Sequence, residues 1–225
     1  MTPRQKDDLE LISAVGHELR SPLTVIRGAA TLLLQTQGQM PAERQAVMLR
    51  LIEQHTENMS DLVEDLITAA HLESRDVEMR LEPVDVATVV DEVVDWARRQ
   101  DAGRPIHVFG SAPGLTVKAD FARAAQALRV LVANALKHAP ESNVEISVDP
   151  QPEVIRIGVL DNGPGIPEAY RERVFERFGR VREGGGAGIG LFLARGLARL
   201  MGGDVTVETR RDGGSAFWFT LGRSG

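Results

Sequence analysis

In the first third of the chain, apolar residues follow a heptad pattern in two separate stretches. Their spacing alternates between three and four residues, which is typical of the seam of a coiled coil or helical bundle. A polar break from Gln35 to Pro41 separates the two stretches, so the pattern predicts two helices that form an antiparallel hairpin. The first seam comprises Leu9, Ile12, Gly16, Leu19, Leu23, Ile26, Ala30 and Leu33, and the second comprises Met48, Ile52, His55, Met59, Leu62, Leu66 and Ala69.

The register of the first seam places a histidine on the outer surface of its helix. His17 directly follows the seam residue Gly16, so its side chain is predicted to face away from the seam. Pro22 lies inside the same predicted helix, where it removes a backbone hydrogen bond and predicts a bend. Because two seams alone make a thin core, we expect the hairpin to dimerise into a four-helix bundle, as a homodimer.

The pattern changes after a charged stretch, residues 73–84, which we interpret as a linker. Beyond it, amphipathic stretches and β-rich runs follow one another without strict alternation. This mixture predicts an α+β sandwich, with helices on one face of a sheet. The predicted helices are a capped one at 85–99, one at 120–138 with Asp120 as its cap, and one at 188–201. The predicted strands are 106–109, 143–148, 154–160, 204–209 and 215–221.

Composition narrows the function classes. The chain has 225 residues, of which 43% are hydrophobic, enough for two ordinary domains with packed cores. A net charge of −6 argues against a nucleic-acid partner. The absence of cysteine excludes disulfides and thiolate zinc sites and fits a reducing compartment. No apolar run is long enough to cross a bilayer, so we expect a cytoplasmic segment without membrane contact of its own, although a longer parent protein could be membrane-anchored.

The segment HELRSPL, residues 17–23, suits phosphoryl chemistry. A neutral imidazole is a competent nucleophile, and Glu18 could hold one ring proton of His17 while the other nitrogen attacks. Arg20, within one turn, could contact phosphate oxygens. An ordinary solvated helix face explains the same residues equally well.

The segment NALKHA, residues 134–139, ends a predicted helix. Asn134, Lys137 and His138 are spaced to share one helix face. An amide oxygen suits Mg²⁺, an ammonium group suits phosphate, and an imidazole ring can stack. The alternative is a polar helix end with cations near its negative pole.

Two glycine-rich segments complete the candidate chemistry. In DNGPGIP, residues 161–167, a carboxylate at a strand end could accept a hydrogen bond from an exocyclic amine, while the glycines allow a tight turn. An ordinary turn would have the same composition. GGGAGIGL, residues 184–191, opens a helix and could bind an anion there, although it matches neither the Rossmann nor the P-loop pattern. The charged residues 174–183 before it are typical of a mobile lid, with a flexible linker as the alternative.

The order of these segments resembles that of sensor histidine kinases of bacterial two-component systems. The resemblance spans nearly the whole chain. It implies a dimerisation and phosphotransfer hairpin over residues 1–74 and an ATP-binding domain over residues 80–225, of the kind shared with gyrase and heat-shock ATPases. The matching motifs are the phosphoacceptor box around His17, the asparagine box at 134–139, the first glycine box at 161–165, the phenylalanine box VFERF at 174–178 and the second glycine box GAGIGL at 186–191.

The resemblance also implies roles for individual residues. Glu18 would assist His17, and Asn134 would ligate Mg²⁺. Asp161 would bind the adenine amine, while Lys137 and Arg180 would contact phosphates. The remaining implied ATP contacts are His138, Gly163, Gly165, Ile166, Gly186, Gly188, Ile189, Gly190 and Leu191. The implied reaction is ATP-dependent autophosphorylation of His17, followed by transfer to an aspartate of a separate response regulator in trans.

Three positions depart from the family pattern. Val130 replaces a second asparagine four residues before the metal ligand, which weakens any second polar contact there. Gly179 replaces an aromatic residue before Arg180, so we expect a looser lid. Ser21 stands where phosphatase-active members carry Thr or Asn, so we expect phosphatase activity, if present, to be weak.

Three other functions fit parts of the sequence. An ATP-hydrolysing gyrase-type or chaperone-type switch would carry a glutamate at position 130 to activate water, and valine cannot take that proton. A dimer module with a degenerate nucleotide site would have lost charged or glycine residues that the motifs retain. An anti-sigma type serine kinase would not need the hairpin that carries HELRSP.

Overall fold

The computed structural model describes residues 3–36, 38–74, 77–101, 103–110, 113–139, 143–179, 181, 188–210 and 213–224, with the side chains of residues 3–12, 14 and 73 left aside. This part of the chain separates into two compact units, one ending at Ile67 and the other beginning at Thr68. The combination of two long helices with a mixed α/β unit confirms the predicted fold class.

The first unit is a helical hairpin. Helix α1 spans Pro3–Gln35 and helix α2 spans Ala42–Ser74, with 33 residues each. The connection coincides with the predicted polar break. Gly38 adopts a φ of 81° there, a conformation that glycine reaches without steric cost, and Gln39 N donates to the carbonyl of Thr36 at 2.8 Å.

Both predicted seams lie on the less exposed sides of their helices. The seam residues with described side chains are half-buried, except that Leu23 is 50% exposed and Ala69 is buried. Leu9 and Ile12 lie outside the described side chains. Of the described residues up to Ile67, only Ala29 is buried, so the hairpin has almost no core of its own. Helix α1 is continuous through Pro22, and the bend expected there stays a prediction.

The second unit is built on a five-stranded sheet. The strand order is β2-β4-β5-β7-β6, in which β2 runs parallel to β4 and the other neighbours are antiparallel. The strands span Ile106–Phe109 (β2), Val144–Pro150 (β4), Val154–Leu160 (β5), Asp204–Thr209 (β6) and Ser215–Gly222 (β7). Apart from the edge strand β2 and from short buried runs in β5 and at the start of β7, these strands alternate buried and less buried positions, as expected when one face packs against helices.

Three helices cover that face of the sheet. They are α3 (Val86–Gln100), α4 (Phe121–His138) and α5 (Gly190–Leu200), and two 3₁₀ turns, Glu168–Tyr170 and Arg173–Phe175, precede α5. Their apolar sides join the inward side chains of the sheet in one continuous core. Its largest fully buried members include Leu128, Leu131, Ile146, Ile155, Ile157, Leu193, Leu197, Phe217 and Phe219. This core holds α4 and α5, which carry two of the candidate segments, rigidly against the sheet.

A second, two-stranded sheet was not predicted from the sequence. Strand β1 (Glu82–Asp85) pairs antiparallel with β3 (Thr116–Ala119), at the end of the stretch interpreted as a linker. Both strands are only four residues long, and β1 contains Pro83, which is unfavourable inside a strand. Asp85 then caps α3, as predicted, because its Oδ1 accepts from Ala87 N at 2.8 Å.

None of the helices in the described ranges combines the length and the apolar character that a membrane crossing requires.

Candidate functional site

The predicted phosphoacceptor segment lies in the middle of α1. His17 is exposed, in line with its position in the heptad register, and Glu18 beside it is half-buried. Ser21 is also exposed and lies four residues further on, hence on the same helix face as His17. Thr24 Oγ1 donates to the carbonyl of Arg20 at 2.8 Å. The helix therefore presents an imidazole and a hydroxyl side by side to the outside.

The predicted asparagine box forms the last two turns of α4. The helix begins at a capped residue, because Asp120 Oδ1 accepts from Arg123 N at 3.2 Å. Leu131 and Ala135 are fully buried and fix its rotation. Asn134 is half-buried, and Lys137 and His138 are exposed, so the three polar side chains line the rim of the core.

The electrostatics of His138 connect α4 to the Asp161 turn. The pKa of His138 is lowered from its ordinary value, first by partial desolvation of the ring and then by the charge of Lys137, whereas the charge of Asp161 acts in the opposite direction. A lowered pKa keeps the ring neutral near pH 7, the form in which it can accept a proton or stack without charge.

A buried arginine holds the end of α4, and sequence reasoning missed it. Arg104 Nη1 donates to the carbonyls of Leu136 at 2.8 Å and Ala139 at 3.2 Å. Its Nε lies 3.1 Å from Asp101 Oδ2, and the side chain is 10% exposed. These carbonyls are among those that a helix leaves unpaired at its end. No local signal predicts the contact, since the arginine lies more than thirty residues earlier in the chain.

Asp161 follows β5 directly and is deeply buried. The residue is 4% exposed. Its Oδ1 accepts from Gly163 N at 2.8 Å and from Ser215 N at 3.3 Å. Two backbone donors on one oxygen fix the orientation of the carboxylate, which suits it to accept a hydrogen bond from a defined direction.

Two positions of the first glycine box favour glycine, one because a side chain would not fit and one because of its backbone conformation. A Cβ on Gly163 would lie 2.9 Å from Asp161 Oδ1 and 3.1 Å from the carbonyl of His138, so the turn packs directly on the end of α4. Gly165 has a φ of 71°, where side chains are disfavoured. Ile166 is half-buried against the core, and its carbonyl accepts from Thr209 Oγ1 at 3.0 Å.

The second glycine box enters α5 against α4. Gly188 has a φ of 69°, and a Cβ there would lie 2.9 Å from Phe178 Cα. A Cβ on Gly190 would lie 3.0 Å from Val130 Cγ1, so the unusual valine fills the space beside the helix entry. Ile189 is buried and Leu191 packs against the core. Arg180 and Gly186, both predicted to contact ATP, lie outside the described residues, as do residues 182–185 and 187 of the predicted lid and glycine run.

The phenylalanine box is anchored to α5 by a second buried arginine. Arg195 donates to Asp204 from Nε at 2.8 Å and to Glu172 from Nη1 at 2.7 Å. Its guanidinium also lies 4.8 Å from the centre of the Phe175 ring. Hydrogen bonding to Asp204 raises the pKa of Arg195, so the side chain stays charged. This cluster ties residues 172–175 to the helix that follows the second glycine box.

The described residues of the second unit combine features of a nucleotide site. A fixed, buried carboxylate lies beside an imidazole, and an amide and an ammonium group stand on the same helix end. The turn between them has no room for a Cβ at Gly163, because the Asp161 carboxylate and the end of α4 fill that space. Within the described ranges no three His, Asp or Glu side chains form a metal cluster, so a cation here would take most of its ligands from phosphate and water.

Comparison with protein families identifies both units. Residues 8–75 match the family model of the His Kinase A (phospho-acceptor) domain. Residues 119–224 match the model of the histidine kinase-, DNA gyrase B-, and HSP90-like ATPase. The two matches follow the order expected from the resemblance.

Curated relatives agree over almost the whole chain. Sensor protein CreC of Escherichia coli (strain K12) is 35% identical over 209 residues, which are 91% of this chain and 43% of the relative. Sensor histidine kinase WalK of Bacillus subtilis (strain 168) is 31% identical over 98% of this chain and 38% of the relative. The chain thus spans about two fifths of the length of these relatives.

Solved structures share the architecture. Full-length ShkA in complex with AMPPNP is 30% identical, with a TM-score of 0.65 over 100% of this chain and 47% of that one. The histidine kinase ThkA in complex with the response regulator protein TrrA has the same fold, with 23% identity, a TM-score of 0.62 and coverage of 96% of this chain and 61% of that one. From its two family domains and these relatives, the chain belongs to the sensor histidine kinases of two-component signal transduction.

Proposed function

We propose that this chain catalyses its own phosphorylation on His17 from ATP and then passes the phosphoryl group to an aspartate of a separate response regulator. The observation that carries the proposal is the fixed, buried carboxylate of Asp161 beside the Asn134–His138 helix end, in a chain that also presents an exposed histidine in a phosphoacceptor domain. The activity of the whole protein, of which this chain resembles a part, falls under the same proposal.

In the proposed reaction, a ring nitrogen of His17 attacks the γ-phosphorus of ATP. A phosphorus–nitrogen bond forms, and the bond from the γ-phosphorus to the oxygen of the departing ADP breaks. Glu18 orients the imidazole by holding its other ring proton. In the second step a regulator carboxylate attacks the phosphorus and His17 leaves. Such transfers depend mainly on positioning and charge neutralisation, which suits a chain without a strong catalytic base at position 130.

The residues of the second unit bind and orient the nucleotide. Asp161 accepts a hydrogen bond from the adenine amine, His138 stacks beside it, and Lys137 contacts phosphate oxygens. The backbone of the glycine segments approaches the nucleotide closely at Gly163, Gly165, Gly188 and Gly190, with Ile166, Ile189 and Leu191 as apolar neighbours. Arg180 and Gly186 are proposed to complete the phosphate contacts.

Mg²⁺ fits the residues present. The amide oxygen of Asn134 is a hard ligand on the rim of the core, and magnesium commonly takes one or two protein oxygens together with phosphates and water. When bound, the ion would neutralise developing charge on the phosphate oxygens. The chain contributes by holding Asn134 in place on α4.

The proposed partners follow from the first unit. Exposed large apolar side chains lie along both of its helices, at Leu23, Leu32, Leu34, Val47, Leu49, Val63 and Ile67. A second copy of the hairpin would cover such surfaces in a four-helix bundle, and the phospho-acceptor family match supports a homodimer. The presence of a response regulator in the structure of the fold neighbour ThkA supports the receiver partner.

We further propose functional boundaries at residues 1–74 for dimerisation and phosphotransfer and 80–225 for ATP binding. Ser21 would orient water for weak phosphatase activity toward the regulator. We expect the segment to act in the cytoplasm, where ATP is available.

The chemistry of the label tests the proposal. Incubation with ATP labelled at the γ-phosphate should place an acid-labile, base-stable label on the chain, and ATP labelled at the α-phosphate should place none. Peptide mapping should find the label on the fragment that contains His17. Label on His55 or His71, or an acid-stable label, would contradict the assignment.

A further inference from the structure

An arginine at the end of β6 contacts the turn that carries Asp161. Arg210 Nη1 donates to the carbonyl of Asp161 at 3.3 Å and to Oδ1 of Asn162 at 2.9 Å. Its Nη2 lies 3.6 Å from Glu145 Oε2 on β4, and the side chain is 25% exposed. One guanidinium therefore reaches both residues at the start of the first glycine box. No motif in the sequence marks this arginine.

The β-hairpin formed by β6 and β7 also contacts Asp161 through its backbone. Ser215 N donates to the Asp161 carboxylate, and Asp161 N donates to the carbonyl of Ser215 at 2.9 Å. Gly214 has a φ of 87°, and a Cβ on it would collide with the carbonyl of Asp161 and lie 2.8 Å from Asn162 Cα. The turn at Asp161 is thus in direct contact with residues 210 and 214–215 of this β-hairpin.

These contacts constrain the peptide group that joins Asp161 to Asn162. Arg210 bonds the carbonyl oxygen of that peptide and the side chain that follows it. If the peptide rotates, Gly163 N moves away from the Asp161 carboxylate, which then keeps only Ser215 N as a backbone donor and is held less firmly. A side chain locked in the productive orientation loses less entropy when a ligand binds, and it discriminates more sharply between ligands.

We propose that Arg210 is a positioning residue for base recognition, and that it sets the preference of the site for a purine with an exocyclic amine at position 6. The inference rests on the proposed function, in which Asp161 accepts a hydrogen bond from that amine. In a purine with a carbonyl at the same place, the carbonyl oxygen would face the Asp161 carboxylate, and both groups are hydrogen-bond acceptors. A buried acceptor that is left without a donor raises the free energy of the complex. A loosely held carboxylate would turn away from the carbonyl and discriminate less.

The test compares ADP with inosine diphosphate, which has a carbonyl in place of the amine. Binding of each to the full chain is measured by calorimetry for the wild type, Arg210→Gln, Arg210→Lys and Asp161→Asn. The matched control is Arg98→Gln, which removes the same charge from an exposed ion pair with Asp95 on α3. Thermal unfolding of every variant accompanies the titrations.

The wild type should bind ADP more tightly than inosine diphosphate. Arg210→Gln should weaken ADP about tenfold, the scale of one charge-assisted hydrogen bond, with little change for inosine diphosphate. Arg210→Lys should be intermediate, because the ammonium group keeps the positive charge but lacks the second nitrogen, which lies 3.6 Å from Glu145 Oε2. Arg98→Gln should leave both affinities unchanged.

If Arg210→Gln weakens both nucleotides equally, or neither, the role in base selection is wrong. If Arg210→Gln does not fold, Asn162→Ala takes its place in the test, because it removes one of the two Arg210 contacts. The inference is also wrong if the ratio of the affinities for ADP and inosine diphosphate stays at its wild-type value in both Asn162→Ala and Arg210→Lys. Asp161→Asn separates the two proposals. If Asp161→Asn leaves the affinity ratio unchanged, both base recognition by Asp161 and the role of Arg210 are wrong. If Asp161→Asn abolishes the preference for ADP but the Arg210 variants keep it, only the role of Arg210 is wrong.

Discussion

The two units of the chain differ in how many of their apolar side chains they bury. Of the described residues of the hairpin up to Ile67, one is buried, and seven large apolar side chains are at least 43% exposed. The α+β unit contains a continuous core in which Phe217, Phe219, Leu128 and Leu131 are fully buried. The difference indicates that the second unit is stable by itself, whereas the stability of the first depends on an additional surface.

Side-chain truncation should expose this difference most strongly. Phe217→Ala, in the centre of the core, is expected to lower the free energy of unfolding by about 3–5 kcal/mol, through lost burial and a cavity. The matched change Leu34→Ala, in the hairpin and at a position 78% exposed, should alter the unfolding of the second unit by less than about 0.5 kcal/mol. Urea denaturation followed by tryptophan fluorescence, which reports on Trp96 and Trp218 of the second unit, measures both. A large loss for Leu34→Ala in this signal would mean that the second unit is not stable by itself.

The two units should also differ in how their melting temperatures depend on protein concentration. A fragment of residues 1–75 is expected to sediment as a dimer, and its melting temperature should rise with protein concentration. A fragment of residues 77–225 should remain monomeric with a constant melting temperature. Sedimentation of the first fragment as a stably folded monomer would contradict the four-helix bundle.

The end of α4 is expected to show a moderate effect. Arg104→Gln should lower the free energy of unfolding by about 1–3 kcal/mol, because the carbonyls of Leu136 and Ala139 lose a charged donor in a nearly buried place. Nucleotide affinity should fall too, since Lys137 and His138 lie on the released turn. Arg98→Gln serves as the control, with an effect below about 1 kcal/mol, because its ion pair is exposed.

A pH effect centred on His138 should be the smallest. Its pKa is lowered in the folded state, so the unfolded state binds the proton more readily. The stabilising contribution of the neutral ring is therefore complete above pH about 6.5 and is lost as the pH falls below that value. His138→Gln should flatten this part of the pH dependence of the unfolding free energy, measured by denaturation between pH 5 and pH 8.

The sequence predicts the parts of this molecule that local periodicity encodes. The heptad seams locate both helices, and the caps Asp85 and Asp120 locate the starts of α3 and α4, because capping is a local interaction. The strands β1 and β3 are missed, since each has only four residues and β1 contains Pro83. The fold class follows because the order of elements restricts the possible layers.

The candidate site is predicted only where a residue acts through its own motif. Asn134, Asp161 and the glycines stand in recognisable segments. The arginines at 104, 195 and 210 do not, because each acts on a segment between nine and 49 residues away and nothing near it in sequence records the contact. Pairings of this kind depend on the assembled sheet and helices.

The central claim is that one unit carries the phosphoacceptor and the other binds the nucleotide. The direct measurement is the stoichiometry of γ-phosphate label, taken together with ADP affinity by calorimetry, for the wild type, His17→Gln and Asp161→Asn. The account predicts that His17→Gln loses the label and keeps the wild-type ADP affinity, whereas Asp161→Asn loses both. Persistent label in His17→Gln, or unchanged ADP binding in Asp161→Asn, would contradict it.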